Sequence, residues 1–156
     1  MSLKIGDKAP SFSLFSSEKK VVKLEDFEGK NIVLLFFPLA FTSTCTAELC
    51  SVRDEISAYN SIGSEVIAIS VDSLYTLAKY KEEQKLNFML LSDFNKETSS
   101  AYGSIYELFS SGMRGVSKRS AFVIDKTGIV RYAEVLDNAS EIPNLSAVKA
   151  ILSQLH

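Results

Sequence analysis

The chain has 156 residues, 46% of them hydrophobic, and a formal net charge of -2. This length suffices for one domain with a substantial core, and the apolar content excludes a disordered chain. We therefore predict a single domain over residues 1–156. So small a net charge supplies no broad cationic field for polyphosphate, so nucleic acid is not an expected partner.

The opening residues, MSLKIGDKAPSF, contain no apolar stretch of the length that a signal peptide needs. No apolar run in the chain approaches the length needed to span a bilayer. We therefore expect a cytoplasmic protein without a membrane partner. In a reducing compartment its two cysteines, Cys45 and Cys50, should be free thiols and not a structural disulfide.

The first two thirds of the chain alternate short apolar runs with helical patterns. An opening pair of strands flanks a polar turn, and the later apolar runs are continuous, which is typical of strands buried on both faces. Strands that alternate with helices indicate βαβ units and a largely parallel sheet. The predicted segments are the turn at 16–20, strands at 31–37, 64–71 and 88–92, and helices at 44–60, 73–85 and 96–102.

The last third of the chain has a different pattern. Two alternating runs within 120–135 flank Asp125-Lys126-Thr127-Gly128, a hairpin turn with glycine in its last position. An amphipathic helix is then predicted at 144–156. The order βαβ, β-hairpin and final helix is that of a thioredoxin-like fold. The predicted fold class is therefore α/β, a thioredoxin-like fold with an N-terminal β extension and a mixed central sheet flanked by helices.

Cys45 falls in the first turn of the predicted helix 44–60, on the stripe of Leu49 and Val52 that must face the sheet. A free cysteine in such a place is often only a small core residue. However, α/β folds place their sites where a parallel strand passes into a helix. The free N–H groups at a helix start also favour a thiolate, the reactive form.

Cys50 lies about 140° from Cys45 around the same helix, on the polar face beside Thr46. It is either an incidental surface thiol or a second reactive one. Five helical residues separate the two Cα atoms by about 8.6 Å, and a disulfide needs less than about 7 Å. We therefore predict a continuous helix across 45–50 in the reduced protein, which must unwind if the two bond. A metal clip is not expected, because the sequence has no third cysteine and its one histidine is His156.

Cys45 and the residues around it carry a resemblance to a known family. Pro38, Thr42 and Cys45 match the P-x-x-x-T-x-x-C signature of peroxiredoxins, and Glu48 is also typical of them. RSAFVID at 119–125 is similar to the family's later arginine-containing strand, and KIGDKAPSFSL to its usual opening. Over nearly its whole length, the chain thus resembles thiol peroxidases on a thioredoxin-like fold.

The subfamily features are mixed. FFPLAFTSTC resembles the alkyl hydroperoxide reductase E branch, whereas the Cys45-x-x-x-x-Cys50 spacing resembles the bacterioferritin-comigratory or Q branch. Thr46 stands where many members have proline, and Ala121 where serine or threonine is common. A C-terminal resolving cysteine is absent, which excludes the usual two-subunit disulfide. Homodimers are typical of relatives of the first branch, and many relatives of the second are monomers.

The resemblance implies that Cys45 is the nucleophile that reduces hydrogen peroxide and organic hydroperoxides and becomes a sulfenic acid. Arg119 would supply a permanent cation beside the thiolate, and Thr42 a hydroxyl that holds the peroxide. Pro38 would help to shield the pocket. Glu48 either orients neighbouring cations or merely favours the helix start. No cofactor is implied.

Cys50 is the candidate resolving thiol, and a thioredoxin-like or glutaredoxin-like partner would then reduce the disulfide. Two alternatives remain: a one-cysteine peroxidase recycled by an external thiol, and a non-catalytic redox sensor. A dithiol oxidoreductase of the thioredoxin type needs C-x-x-C, and the spacing here is longer.

Overall fold

The computed structural model describes residues 3–155, and over this range the chain forms nine β-strands and five α-helices. The strands are β1 (Ser13–Ser16), β2 (Val21–Lys23), β3 (Asn31–Phe36), β4 (Ser64–Ser70), β5 (Met89–Ser92), β6 (Ile105–Tyr106), β7 (Val116–Ser117), β8 (Ser120–Ile124) and β9 (Val130–Val135). The α-helices are α1 (Ser43–Asp54), α2 (Ile56–Ser61), α3 (Leu74–Gln84), α4 (Glu97–Ala101) and α5 (Leu145–Leu155), and 3₁₀ turns cover Leu24–Phe27 and Ser110–Gly112.

Seven of these strands form one mixed sheet in the order β2-β1-β5-β4-β3-β8-β9. The strands β3, β4 and β5 pair in parallel, as expected for βαβ units, and the remaining pairs in this sheet are antiparallel. The predicted α/β class with a mixed sheet, flanking helices and an N-terminal β extension is confirmed. Strands β6 and β7 form a separate two-stranded sheet.

Strand β3 lies in the middle of the sheet and is covered on both faces. Val33 and Leu35 pack on one side with side chains of α1 and α5, whereas Ile32, Leu34 and Phe36 pack on the other. None of the five is more than 1% exposed. This two-sided burial explains why the run reads as continuously apolar. It also places the carboxyl end of β3 at the start of α1.

The predicted helix 44–60 is wrong in one respect, because the chain forms two helices that are separated at Glu55. The Glu55 N–H donates to the Val52 carbonyl at 3.1 Å and not to the carbonyl four residues back. Helix α2 has its own attachment to the sheet, since the Ser64 hydroxyl donates to the Tyr59 carbonyl at 2.7 Å. The segment contains neither glycine nor proline, so the sequence carries no local signal of this break.

The hairpin between β8 and β9 turns at the predicted residues. Asp125 Oδ1 accepts from the Thr127 and Ile129 N–H groups at 2.9 and 3.0 Å, and Gly128 has a φ of +84°. A left-handed residue at this position favours glycine. On its other side β8 pairs with β3 in an antiparallel arrangement, and Arg119 directly precedes β8.

Candidate active site

Cys45 lies in the first turn of α1 and is fully buried. The helix begins after Thr42, whose extended backbone (φ -93°, ψ 154°) is that of an N-cap residue. The Thr42 carbonyl accepts the first α-helical bond, from Thr46 N at 3.0 Å. The helix start therefore presents the Cys45 sulfur at the carboxyl edge of the parallel strands, as predicted.

Arg119 lies at the same edge of the sheet, because it directly precedes β8, which is antiparallel to β3, and its side chain is 2% exposed. Its Nη2 donates to Cys45 Sγ at 3.2 Å, its Nη1 to Glu48 Oε1 at 2.8 Å and its Nε to the Ala139 carbonyl at 2.8 Å. Three nitrogens of one guanidinium thus have separate acceptors. Arg119 is therefore not a solvated charge at the end of a strand.

Glu48 lies one turn after Cys45 and is completely buried. Within residues 3–155, its Oε2 has no hydrogen-bond partner. Burial raises the pKa of Glu48 to about 7, although the Arg119 cation acts in the opposite direction. The pKa of Arg119 is raised, because the attraction of Cys45 and Glu48 outweighs its own burial. The carboxylate of Glu48 thus contacts the Arg119 cation directly, which is the geometry that an orienting role requires.

The loop before α1 is held in an unusual conformation. Pro38 is buried two residues after the end of β3, and the Thr42 hydroxyl donates to the Leu39 carbonyl at 2.7 Å. Phe41 adopts a left-handed φ of +68°, which is strained for an aromatic residue, and its ring lies 4.9 Å from that of Tyr80. With its proton engaged, the Thr42 oxygen still has lone pairs to accept a further hydrogen bond.

Two features of this loop were not found from the sequence. No local pattern predicts the left-handed Phe41. Asp72, by contrast, lies two residues after the end of the buried strand β4, a position that could have marked it. Its Oδ2 accepts from the Ala40 N–H at 2.8 Å and from the Ser70 hydroxyl at 2.6 Å, which ties the loop to the end of β4.

Cys50 is half-buried, and its sulfur is not paired with Cys45: both are free thiols. Helix α1 is continuous across 45–50, as predicted for the reduced protein. The polar face that carries Cys50 lies against α3, since Cys50 Sγ donates to Gln84 Oε1 at 3.5 Å. The structure thus brings Cys45, Glu48 and Arg119 into contact, places Thr42 and Pro38 in the segment that leads into α1, and leaves Cys50 apart.

A small apolar cluster lies next to Arg119. Val71, Tyr106 and Val116 are its buried members, and Ala139, whose carbonyl accepts from Arg119, packs against them.

Within residues 3–155, no three His, Cys, Asp or Glu side chains lie close enough together to hold a metal ion. His156 lies outside the described residues. Over the same range, none of the helices combines the length and apolar character needed to cross a bilayer.

Comparisons with known proteins agree with this geometry. The model of the AhpC/TSA family matches residues 5–133. Alkyl hydroperoxide reductase E of Mycobacterium bovis is 38% identical over 136 residues, which cover 85% of this chain and 86% of that protein. The putative peroxiredoxin bcp of Haemophilus influenzae is 35% identical over 130 residues, with 82% and 83% covered.

Solved structures of similar proteins share the fold. The crystal structure of peroxidoxin BcpB from Mycobacterium tuberculosis superposes with a TM-score of 0.87 at 25% identity, covering 99% of both chains. The reduced 2-Cys peroxiredoxin of Plasmodium vivax gives a TM-score of 0.82 at 28% identity, covering 96% of this chain and 80% of that one. The fold is thus that of the thioredoxin-like thiol peroxidases. The chain belongs to the AhpC/TSA family and is a peroxiredoxin, an oxidoreductase that reduces peroxides with electrons from a thiol.

Proposed function

We propose that Cys45 is the peroxidatic cysteine. Its thiolate attacks one peroxide oxygen, the O–O bond breaks, and the other oxygen leaves as hydroxide or alkoxide and takes up a proton. The product is a Cys45 sulfenic acid. The observation that carries this proposal is the 3.2 Å contact between Arg119 Nη2 and Cys45 Sγ in a fully buried setting. A cation at that distance in a place of low dielectric constant favours a negatively charged sulfur.

The surrounding residues have distinct roles in this proposal. Arg119 stabilises the thiolate and the charge that develops on the departing oxygen, and Glu48 holds Arg119 in place. Thr42 offers its free lone pairs to the peroxide O–H, and Pro38 closes the wall of the pocket without presenting an N–H group. The short bond from Thr42 to the Leu39 carbonyl supports this role, because it fixes the direction of the remaining lone pairs.

The second half of the proposed cycle removes the sulfenic acid. Cys50 condenses with it, and a thioredoxin-like or glutaredoxin-like protein reduces the resulting disulfide. The half-buried Cys50 supports this route, because it is less enclosed than Cys45. The unbroken helix between the two sulfurs favours the alternative, in which an external thiol reduces Cys45 directly.

The setting of the cycle is also part of the proposal. We propose that residues 1–156 form a single domain, that the protein acts in the cytoplasm, and that hydrogen peroxide and organic hydroperoxides are its substrates. A homodimer is supported by exposed apolar side chains, namely Phe41, which precedes Thr42, together with Leu108 and Met113. Sedimentation of the reduced and oxidised protein measures the oligomeric state.

The function is tested by peroxide consumption with each reductant in turn: a thioredoxin system, a glutaredoxin system and a small thiol. Wild type should turn over, and Cys45→Ser should not. If Cys50 resolves, Cys50→Ser should lose turnover with thioredoxin. If Cys50→Ser retains full turnover, an external thiol serves Cys45. A wild-type protein that reacts with peroxide once but turns over with none of the three reductants would contradict the enzymatic cycle and favour the redox sensor.

A further inference from the structure

The loop that leads from β3 into α1 has few backbone hydrogen bonds of its own. At its start the Phe37 N–H donates to a carbonyl of β4 at 3.0 Å, and at its end the Thr42 carbonyl accepts the first α-helical bond of α1. Pro38 has no N–H group. Between these ends, in the part of the chain that the structure describes, the Ala40 N–H is the one backbone donor with an acceptor, which is Asp72 Oδ2 at 2.8 Å. The middle of the loop is therefore held by a residue from outside it.

Two buried serines fix Asp72 in this position. The Ser70 hydroxyl donates to Asp72 Oδ2 at 2.6 Å and accepts from the Asp72 N–H at 3.2 Å. On its other side the Asp72 carbonyl accepts from the Ser92 hydroxyl at 2.6 Å. A hydrogen bond from an N–H group to a carboxylate is charge-assisted and stronger than a neutral one. Asp72 is therefore a fixed acceptor for the Ala40 N–H and not a mobile surface charge.

Phe41 lies between this attachment and the helix start, and its backbone is strained. Its φ of +68° is left-handed, a conformation that a bulky residue rarely adopts, and half of its side chain is exposed. A strained residue keeps such a conformation only where its surroundings fix it. Here Ala40, on one side, is held by Asp72, and Thr42, on the other, is held by the first turn of α1.

We infer that Asp72 is a positioning residue of the proposed active site: its carboxylate, through the Ala40 N–H, keeps Phe41 left-handed and so aims the Thr42 hydroxyl at the peroxide. The inference rests on the roles proposed for Cys45 and Thr42. Without the Asp72 acceptor, Phe41 relaxes to a common backbone conformation, and the direction of the next residue, Thr42, changes with it.

Substitutions of Asp72 test this inference against a matched control. Asp72→Ala should slow oxidation of Cys45 by hydrogen peroxide at least about tenfold, because a displacement of about 1 Å at a reacting site is costly. Asp72→Asn keeps a carbonyl oxygen for the Ala40 N–H and should stay within about threefold of wild type. Asp26→Ala removes an acceptor of the same kind, bonded to the Lys23 N–H at 2.9 Å in the 3₁₀ turn after β2, and should leave the rate unchanged.

A second reaction of the same sulfur separates positioning from loss of reactivity. Oxidation is followed by rapid quenching and intact mass, because the chain has no tryptophan to report by fluorescence, and peptide mapping assigns it to Cys45. Alkylation by iodoacetamide also needs the Cys45 thiolate but makes no use of the Thr42 hydroxyl. Asp72→Ala should therefore slow oxidation and not alkylation, whereas loss of the thiolate would slow both reactions.

The strain at Phe41 provides a further test. Glycine adopts the left-handed conformation freely, so Phe41→Gly removes the tendency to relax, and in that background Asp72→Ala should cost less than about threefold. Phe41→Ala also removes the ring, which lies 4.9 Å from that of Tyr80, but keeps the strain. In the alanine background, Asp72→Ala should still cost at least about tenfold. Comparison of the two backgrounds separates backbone strain from loss of the ring.

Each outcome decides a different point. If Asp72→Ala oxidises at the wild-type rate, if it slows oxidation and alkylation equally, or if it costs the same in the glycine and alanine backgrounds, the inference is overturned while Cys45 remains the nucleophile. If Asp72→Asn is as slow as Asp72→Ala, retention of the acceptor does not rescue the loop, and the inference is again overturned. If peroxide leaves Cys45 of the wild type unmodified, the proposed function itself fails.

Discussion

Arg119 and Glu48 form an ion pair with a separation of 2.8 Å in which neither side chain is more than 2% exposed. The same guanidinium also contacts Cys45, so one buried cation serves two groups that can each be negatively charged. The pKa of Glu48 is raised to about 7, mainly by burial. Near neutral pH, Glu48 therefore takes up a proton readily. Because the neutral carboxyl does not attract the Arg119 cation as a carboxylate does, Arg119 then interacts mainly with the Cys45 sulfur.

The first prediction concerns this cation. Arg119→Ala should slow oxidation of Cys45 more than about tenfold, since a tenfold loss is about 1.4 kcal/mol, modest for a buried charge-assisted contact. Arg119→Lys should recover only part of the rate, because an ammonium group cannot replace a planar guanidinium whose three nitrogens donate to three separate acceptors. Rapid-mixing kinetics with hydrogen peroxide measure both variants, and Arg114→Ala serves as the control. Equal rates for Arg119→Ala and wild type would remove Arg119 from the site.

The second prediction concerns the pH dependence of stability. Because the pKa of Glu48 rises from 4.5 when unfolded to about 7 in the folded protein, the folded state binds the extra proton between these values. The contribution of this proton to the free energy of unfolding is fully present below pH 4.5 and is lost as the pH rises through about 7. The change amounts to about 3 kcal/mol.

Glu48→Gln should remove this dependence and keep an acceptor for Arg119. Urea unfolding at about pH 5 and about pH 8 measures the difference, which should be smaller in the variant than in wild type. The same difference in both proteins would show that Glu48 does not carry the raised pKa.

The third prediction concerns the hydroxyl of Thr42. Thr42→Val keeps the shape of the side chain but leaves the Leu39 carbonyl without its donor and removes the acceptor proposed for the peroxide. Oxidation of Cys45 should slow at least about tenfold, as for the loss of one hydrogen bond in a reacting site. Thr42→Ser keeps the hydroxyl and should stay within about threefold of wild type. A Thr42→Val protein that stays near the wild-type rate while Thr42→Ser slows would assign the effect to packing of the threonine methyl group.

Much of this fold and site could be predicted from local pattern. The buried strands β3 and β4 are continuous apolar runs, the hairpin carries its own turn residues, and the helix start fixes the environment of Cys45. Arg119 could be placed beside Cys45 only through the family resemblance, because the two residues are 74 positions apart. No local pattern encodes such a contact.

The remaining features depend on tertiary packing. The break at Glu55 follows from the separate attachment of α2 to β4, and no glycine or proline in the segment predicts it. Part of the polar face of α1 lies against α3 through Thr46 and Cys50, a contact that the helical pattern does not predict. A helical wheel separates polar from apolar faces but does not identify which neighbour a polar face meets.

The central claim is that Cys45 is the residue that peroxide oxidises. It is tested most directly by intact mass and peptide mapping after one equivalent of hydrogen peroxide, on wild type, Cys45→Ser and Cys50→Ser. We predict that wild type loses two hydrogens as a Cys45–Cys50 disulfide forms, and that Cys50→Ser gains one oxygen at Cys45. Cys45→Ser should remain unmodified, with Cys50 still available for alkylation. A Cys45→Ser protein whose Cys50 is oxidised as fast as Cys45 is in the wild type would contradict the account.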